Sequence, residues 1–240
     1  MGARMNLLRV CVVMPARNEE ASIARVLDEI PRERVDRIVV ADNGSTDRTA
    51  EVARARGATV VSEPVAGYGR ACLKALTAAG DAGIIVILDA DYSDFPQDLP
   101  ALLAPIDAGE ADLVIGARVP GGAERGALPW NQRFGNALAC RLMLLLYGAR
   151  FTDMGPFRAI RRDALERLEM RDPTWGWNVE MQARAIIAGL RIREVPVRYR
   201  RRIGKSKISG TVRGTIRAGT RIISTILMYY PSYRRSRRRR

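Results

Sequence analysis

The chain reads as an α/β protein whose mainly parallel sheet is flanked by helices. Three observations predict this. Short apolar runs alternate with segments of helical length through residues 7–116, the pattern of repeated strand–helix–strand units. Residues 84–88, Ile-Ile-Val-Ile-Leu, carry no charge, as a strand covered on both faces requires. Polar, turn-forming stretches follow the apolar runs at 15–18, 42–45, 89–91 and 117–118, and ligands of parallel sheets gather beyond the carboxyl ends of strands.

Residues 7–14 form the first strand, ended by Pro15, and a helix follows over 19–30. Residues 37–41 are the second strand and Asp42-Asn43-Gly44-Ser45 its turn. Ser45 or Thr46 is placed to cap a helix that runs to Arg56 and is stopped by Gly57. A strand at 58–61, a helix at 69–79, the strand at 84–88, a helix near 98–106 and a strand at 112–116 complete the first half. The second half is less regular. It has a Gly-rich loop at 121–129 and a helix at 131–147 with a mostly apolar centre. A segment at 151–160 is assigned no element; a helix at 177–188 and a strand at 192–199 follow. Residues 211–230 separate Ile216, Ile222, Ile223, Ile226 and Leu227 from Arg213, Arg217 and Arg221, an amphipathic helix. Residues 231–240 are a polybasic tail.

The totals bound the function. A chain of 240 residues, 47% hydrophobic and 28% charged, suits one α/β domain with an appendage. Its formal charge of +14 favours anionic partners: nucleic acid, anionic lipid or phosphorylated substrates. There is no histidine, which excludes a His general base, a Ser-His-Asp triad and His-ligated zinc. Cys11, Cys72 and Cys140 are far apart among apolar or small neighbours, so buried thiols in a reducing compartment are expected. No signal-peptide pattern precedes Leu7 and no apolar run is long enough to span a bilayer. The expected location is the cytoplasm, peripheral on the cytoplasmic face of a membrane.

The sharpest chemical feature is Asp89-Ala90-Asp91, directly after the buried strand. Side chains alternate along a strand, so the two carboxylates project from the same side. They repel unless a cation lies between them, which points to Mg2+ or Mn2+ with a phosphorylated ligand.

Pro15-Ala16-Arg17-Asn18-Glu19, Ala41-Asp42-Asn43-Gly44-Ser45-Thr46-Asp47 and Asp89-Ala90-Asp91 occur in this order. Together they resemble the GT-A glycosyltransferases of the large inverting family 2. Asp153-x-Gly155-x-Phe157-Arg158 and Arg201-x5-Lys207 resemble the branch with dolichyl-phosphate mannose synthase and polyprenyl-phosphate glucosyltransferases. The resemblance covers roughly residues 7–208; the Gln-x-x-Arg-Trp signature of processive members is absent.

This resemblance implies a GT-A catalytic domain over residues 1–210, an amphipathic, membrane-surface helix over 211–230, and the tail. It implies an inverting, metal-dependent transfer of a hexose, glucose or mannose, from a UDP- or GDP-sugar to a polyprenyl phosphate. Pro15, Arg17, Glu19, Ala41, Asp42 and Asn43 would line the nucleotide. Asp89 and Asp91, with Ala90 between them, would hold the ion and the diphosphate. The third metal ligand is usually an amide; Ser93 stands there, with Asp94 beside it. Arg118, Arg201 and Lys207 match cations at the donor or acceptor phosphates. Asp153 matches a proposed catalytic base or acceptor-site residue, alongside Asp91 as the catalytic pair.

Other readings of these residues stay open at this level. Glu19 and Glu20 also suit a helix start, Asp42 a turn, and Arg200–Arg202 a solvated or RNA-binding loop. Glu180 is placed to pair with Arg184 one helical turn on, and Trp175 and Trp177 suit either a sugar or the core. An amphipathic helix ending in arginines suits an anionic membrane surface, with a membrane-protein partner as a further expectation. A soluble or glycan acceptor is the alternative. A basic nucleic-acid-binding protein is a further, less favoured alternative; no aromatic-basic RNA motif accompanies the arginines, so nucleic acid is not the expected partner.

Overall fold

The computed structural model describes residues 8–204 and 212–238. The first half alternates strand and helix: β1 Val10–Ala16, α1 Ile23–Glu29, β2 Arg37–Asp42, α2 Thr49–Ala55, β3 Thr59–Ser62, α3 Tyr68–Leu76, β4 Ile84–Ile87, α4 Leu99–Asp107 and β5 Leu113–Ala117. There follow α5 Arg118–Gly121, α6 Trp130–Tyr147, β6 Arg158–Arg161, α7 Arg162–Leu168, α8 Trp177–Ala188, β7 Ile192–Pro196 and α9 Val212–Arg238. Among the described residues seven strands form one sheet in the order β3-β2-β1-β4-β6-β5-β7. All neighbours are parallel except the two pairings of β6, which runs antiparallel between β4 and β5.

Alternation along the strands divides the core in two. Val12, Met14, Ile84 and Val86 face α1 and α4, packing with Ile23, Leu27, Leu99 and Leu102. Cys11, Val13, Ile85 and Ile87 face the other layer, with Ala71, Cys72 and Ala75 of α3, Met143 of α6 and Met181 of α8. Every residue of β4 is fully buried, and each such Ile or Val contributes about 1.5–3 kcal/mol relative to exposure. All three cysteines are free and buried.

Several elements differ from the sequence reading, among them α5 Arg118–Gly121 and α7 Arg162–Leu168, where no helix was expected. The segment 151–160 leads into β6, whose four residues begin and end with arginine; so short and charged a strand has no apolar periodicity to reveal it. The start of α2 falls at Thr49 rather than beside Ser45, because Asp47 Oδ1 accepts the Thr49 amide at 3.0 Å. Ser45 and Thr46 bind Asn18 instead: Ser45 Oγ accepts the Asn18 amide at 3.0 Å and Asn18 Oδ1 accepts the Thr46 amide at 2.7 Å. Gly57 ends that helix at φ +77°, as expected.

The helix at 211–230 continues as one element to Arg238, through Pro231. Its inner side docks on α6, where Tyr147 donates to the Ile226 carbonyl at 2.6 Å and Tyr233 to the Tyr147 carbonyl at 2.7 Å.

Candidate active site

The carboxyl ends of β1, β2 and β4 and the start of α3 meet at one edge of the sheet. Pro15 lies beside Ala41, and Ala16 beside Asp42, in the β1–β2 register. Arg17 is exposed and Glu19 almost buried, its Oε2 accepting the Ser22 hydroxyl at 2.9 Å while its amide donates to Thr49 Oγ1 at 2.8 Å. Asp42 Oδ1 accepts the Ser45 amide at 3.3 Å, the local turn bond of an Asx residue. Asn43 is committed to the 63–67 loop. Its Nδ2 donates to the Glu63 and Val65 carbonyls at 2.9 and 2.8 Å, and its Oδ1 accepts the Gly67 amide at 2.8 Å.

The acidic centre follows β4. Asp89 Oδ1 accepts the Tyr68 hydroxyl at 3.0 Å. Burial, and then the nearby Asp91 charge, push the Asp89 carboxyl up to about 7. Asp91 Oδ1 accepts the Ser93 amide at 2.9 Å and the Ser93 hydroxyl, while Oδ2 pairs with Arg202 Nη2. Ser93 therefore orients Asp91 in this structure. Ala90 is buried between the two acids. Asp94 is 1% exposed, and burial, reinforced by Asp89 and Asp91, raises its carboxyl well above the usual range.

Opposite the acids stands a buried ion pair. Arg118 donates from its amide, Nε and Nη2 to the Asp153 carboxylate at 2.7, 2.9 and 2.6 Å, and lies 5.0 Å from the centre of the Tyr199 ring. The side chains are 13% and 0% exposed. Burial alone would lower the Arg118 guanidinium, but its bonds to Asp153 raise it instead. Arg158, fully buried, donates to the Gly155 and Asn178 carbonyls, and burial lowers it to about 10.

Arg201 is exposed and spans a different place, its Nε and Nη2 on the Arg125 carbonyl at 3.0 and 2.9 Å. Its neighbour Arg202 is the cation that reaches Asp91. Lys207 lies outside the described residues. Sequence reasoning missed Arg202 because five of the six residues 198–203 are basic or aromatic, and nothing in the run distinguishes one arginine. Tyr68 carried no signal at all; Asp94 was visible only as the neighbour of Ser93.

Glu180 is fully buried and accepts the Arg171 and Asp172 amides, Arg184 Nε at 3.0 Å and the Tyr229 hydroxyl at 2.6 Å. It thus pairs with Arg184 and ties α9 to the 171–174 loop. That loop touches the start of α3: Gly69 and Arg70 donate to the Thr174 and Pro173 carbonyls at 3.2 and 3.1 Å. A Cβ on Gly69 would lie 1.8 Å from the Asp172 carbonyl oxygen. Asp172 also pairs with Arg221 of α9 at 2.9 Å. Trp177 is core, whereas Trp175 is half-buried and 5.9 Å from Arg217.

The metal expectation can be tested on the donor set. Among the described residues no group of three His, Cys, Asp or Glu side chains is arranged to hold a metal. Two carboxylates suffice for Mg2+ or Mn2+ when substrate phosphates and water complete the shell. Asp89 and Asp91 fit an ion that arrives with a diphosphate: one residue separates them, and Asp89 is raised by its desolvation and then by the Asp91 charge, both of which an ion would offset.

A family model, glycosyl transferase family 2, matches residues 11–169. The dolichyl-phosphate hexose transferase of Haloferax volcanii is 38% identical over 83% of this chain and 86% of that protein. The undecaprenyl-phosphate mannosyltransferase of Micrococcus luteus is 33% identical over 86% and 90%. Among solved structures, glucosyl-3-phosphoglycerate synthase from Mycobacterium tuberculosis, in complex with Mn2+, UDP and glucosyl-3-phosphoglycerate, superposes with a TM-score of 0.76. It shares 27% identity, over 93% of this chain and 80% of that one. The sheet and its flanking helices are the GT-A fold.

Proposed function

The chain belongs to glycosyl transferase family 2, and from that membership we propose an inverting hexosyltransferase acting from a UDP- or GDP-sugar onto a polyprenyl (dolichyl-type) phosphate. The observation that carries the reading is the Asp89–Asp91 pair at the end of β4, Asp89 half-buried and Asp91 buried, with Arg202 paired to Asp91 and Arg118 acting on Asp89. Carboxylates beside guanidiniums suit a diphosphate held through a cation and an anionic acceptor facing it. The relatives named for polyprenyl phosphates support the acceptor, and the neighbour crystallised with Mn2+ and UDP supports the donor.

In this reading Asp89 and Asp91 hold Mg2+ or Mn2+, with Ser93 fixing the Asp91 carboxylate. The ion, when bound, supplies Lewis acidity that stabilises charge on the departing nucleoside diphosphate. Pro15, Arg17, Glu19, Ala41, Asp42 and Asn43 form the nucleoside wall, Asn43 by fixing the 63–67 loop. Arg118 and Arg202, with Arg201 and Lys207, attract the phosphates. An acceptor phosphate is already anionic and needs no proton removed before it attacks the anomeric carbon. Asp153 then serves to orient Arg118 toward that phosphate, which its occupied carboxylate supports.

Residues 1–210 are assigned to catalysis and the remainder to a membrane surface. No helix among the described residues is long and apolar enough to cross a membrane. Trp130, Phe134, Leu138 and Leu145 of α6 are exposed and fall within one face at 100° per residue. Ile216, Leu227 and Met228 of α9 are exposed too, and exposed arginines follow at 234, 235, 237 and 238 of the same helix. An apolar face with a basic rim suits the cytoplasmic face of an anionic membrane.

The test is release of UDP or GDP from a panel of sugar nucleotides, with and without polyprenyl phosphate and Mn2+. Release should require both, and Asp91→Ala should abolish it; full activity in that variant rejects the metal assignment. A soluble phosphorylated acceptor is the second reading, favoured by the glucosyl-3-phosphoglycerate synthase likeness. The arm without lipid, supplied with 3-phosphoglycerate, decides it.

A further inference from the structure

We infer that Asp94 recognises the donor hexose, its carboxylate accepting sugar hydroxyl groups. The inference rests on the functional reading above and adds a residue to it. Asp94 is 1% exposed, and neither Oδ1 nor Oδ2 has a hydrogen-bond partner among the described residues. Its backbone is secured independently, by a bridge to Tyr199 and by Arg200 Nη2 on its carbonyl at 3.2 Å. The carboxylate therefore fastens neither the loop nor the sheet.

Burying an unpaired carboxylate is costly, and the surroundings increase the cost. Asp89, Asp91 and Asp153 all act on it, with Arg118 as the opposing charge. These neighbours put Asp94 within electrostatic reach of both the metal pair and the Arg118–Asp153 pair. In the proposed reaction, the hexose must lie between the diphosphate and the acceptor phosphate.

A second unpartnered group points to the same ligand chemistry. Arg202, which pairs with Asp91, has its Nε buried without a hydrogen-bond partner among the described residues. A buried acceptor three residues after Asp91 and a buried cationic donor on a side chain that touches Asp91 match a ligand carrying both hydroxyls and anionic oxygens. A glycosyl phosphate has both. A metal ion alone leaves Arg202 Nε unmatched, and no three-carboxylate metal group exists among the described residues. One carboxylate has about four lone-pair sites and can take two neighbouring hydroxyls.

The experiment is calorimetric titration of wild type, Asp94→Asn and Asp94→Ala with Mn2+ plus UDP, GDP, UDP-glucose and GDP-mannose. For the base that binds, the variants should keep the affinity for the diphosphate within about twofold. They should lose about 10- to 100-fold for the sugar nucleotide, the range of hydrogen bonds to a charged group. Melting of Asp94→Asn should be at or above wild type, since no hydrogen bond of the carboxyl is lost and the shape is kept. Equal losses for diphosphate and sugar nucleotide would move Asp94 to the metal and overturn the inference. Unchanged affinity for both, or a destabilised Asp94→Asn, would make it structural and overturn it equally. If wild type binds none of the four, the functional reading falls, and this inference with it.

Discussion

Asp153→Asn separates two roles for a carboxylate that sequence resemblance places at the reaction centre. The Asp153 side chain is wholly buried and Arg118 is 13% exposed, joined by three hydrogen bonds of 2.6–2.9 Å. Removing one partner of such a pair leaves the other charge buried and uncompensated, at a cost of about 3–5 kcal/mol. At 1.4 kcal/mol per decade, that lowers the folded-to-unfolded ratio by roughly two to three and a half orders of magnitude. Urea unfolding of Asp153→Asn, Arg118→Met and the double variant measures it. Each single change should cost about 3–5 kcal/mol, and the double should cost at least about 2 kcal/mol less than their sum. If Asp153→Asn unfolded within about 1 kcal/mol of wild type while losing transfer activity, Asp153 would be a free base or acceptor contact. The positioning role would then be refuted.

The other predictions concern the acidic centre and its supports. Asp89 is raised to about 7, so a cation competing with its proton should bind more tightly as pH rises. The apparent affinity for Mn2+ with UDP or GDP should gain about tenfold per unit below pH 7 and level off above it; a flat profile from pH 5.5 to 8 rejects this. The sign for stability is opposite: a carboxyl raised above its unfolded value of about 3.9 makes the metal-free protein less stable as pH climbs from about 4 to 7. Tyr68→Phe removes a bond that favours the ionised Asp89 and should move the binding inflection upward in the same titration. Glu180→Gln should destabilise by about 3 kcal/mol, because Arg184 loses its buried partner, and should speed tryptic cleavage in α9; an unchanged cleavage rate would contradict the tie through Tyr229. Gly69→Ala should weaken metal–nucleotide binding at constant pH, since the new methyl displaces the start of α3 and with it Tyr68; wild-type affinity would show that loop 171–174 yields freely.

The first half of the fold was legible because it obeys one repeated rule. Apolar runs such as residues 84–88 could only be strands covered twice, and turn residues marked where each stopped. β6 was not legible. Its buried Arg158 is held by the Gly155 and Asn178 carbonyls, so a residue type that normally signals surface lies in the middle of the sheet. The placement of Asp42, Asp89 and Asp91 at strand ends was legible, because turn residues follow directly on apolar runs. Placement was not legible where a residue arrives from a distant element. Tyr68 reaches Asp89 from α3, and Arg202 reaches Asp91 from a strap more than 100 residues away in sequence. Neither leaves a spacing to read. For Glu180, the i to i+4 rule correctly anticipated Arg184 but gave no hint of Tyr229, because only the tertiary fold brings α9 across.

The central claim is that Asp89 and Asp91 take a divalent ion together with a nucleoside diphosphate. Mn2+ electron paramagnetic resonance, titrated with and without UDP or GDP, measures it directly. The account predicts weak Mn2+ binding alone, stoichiometric binding with one of the nucleotides, and loss of that binding in Asp91→Asn. Nucleotide-independent Mn2+ binding, or binding retained in Asp91→Asn, would contradict it.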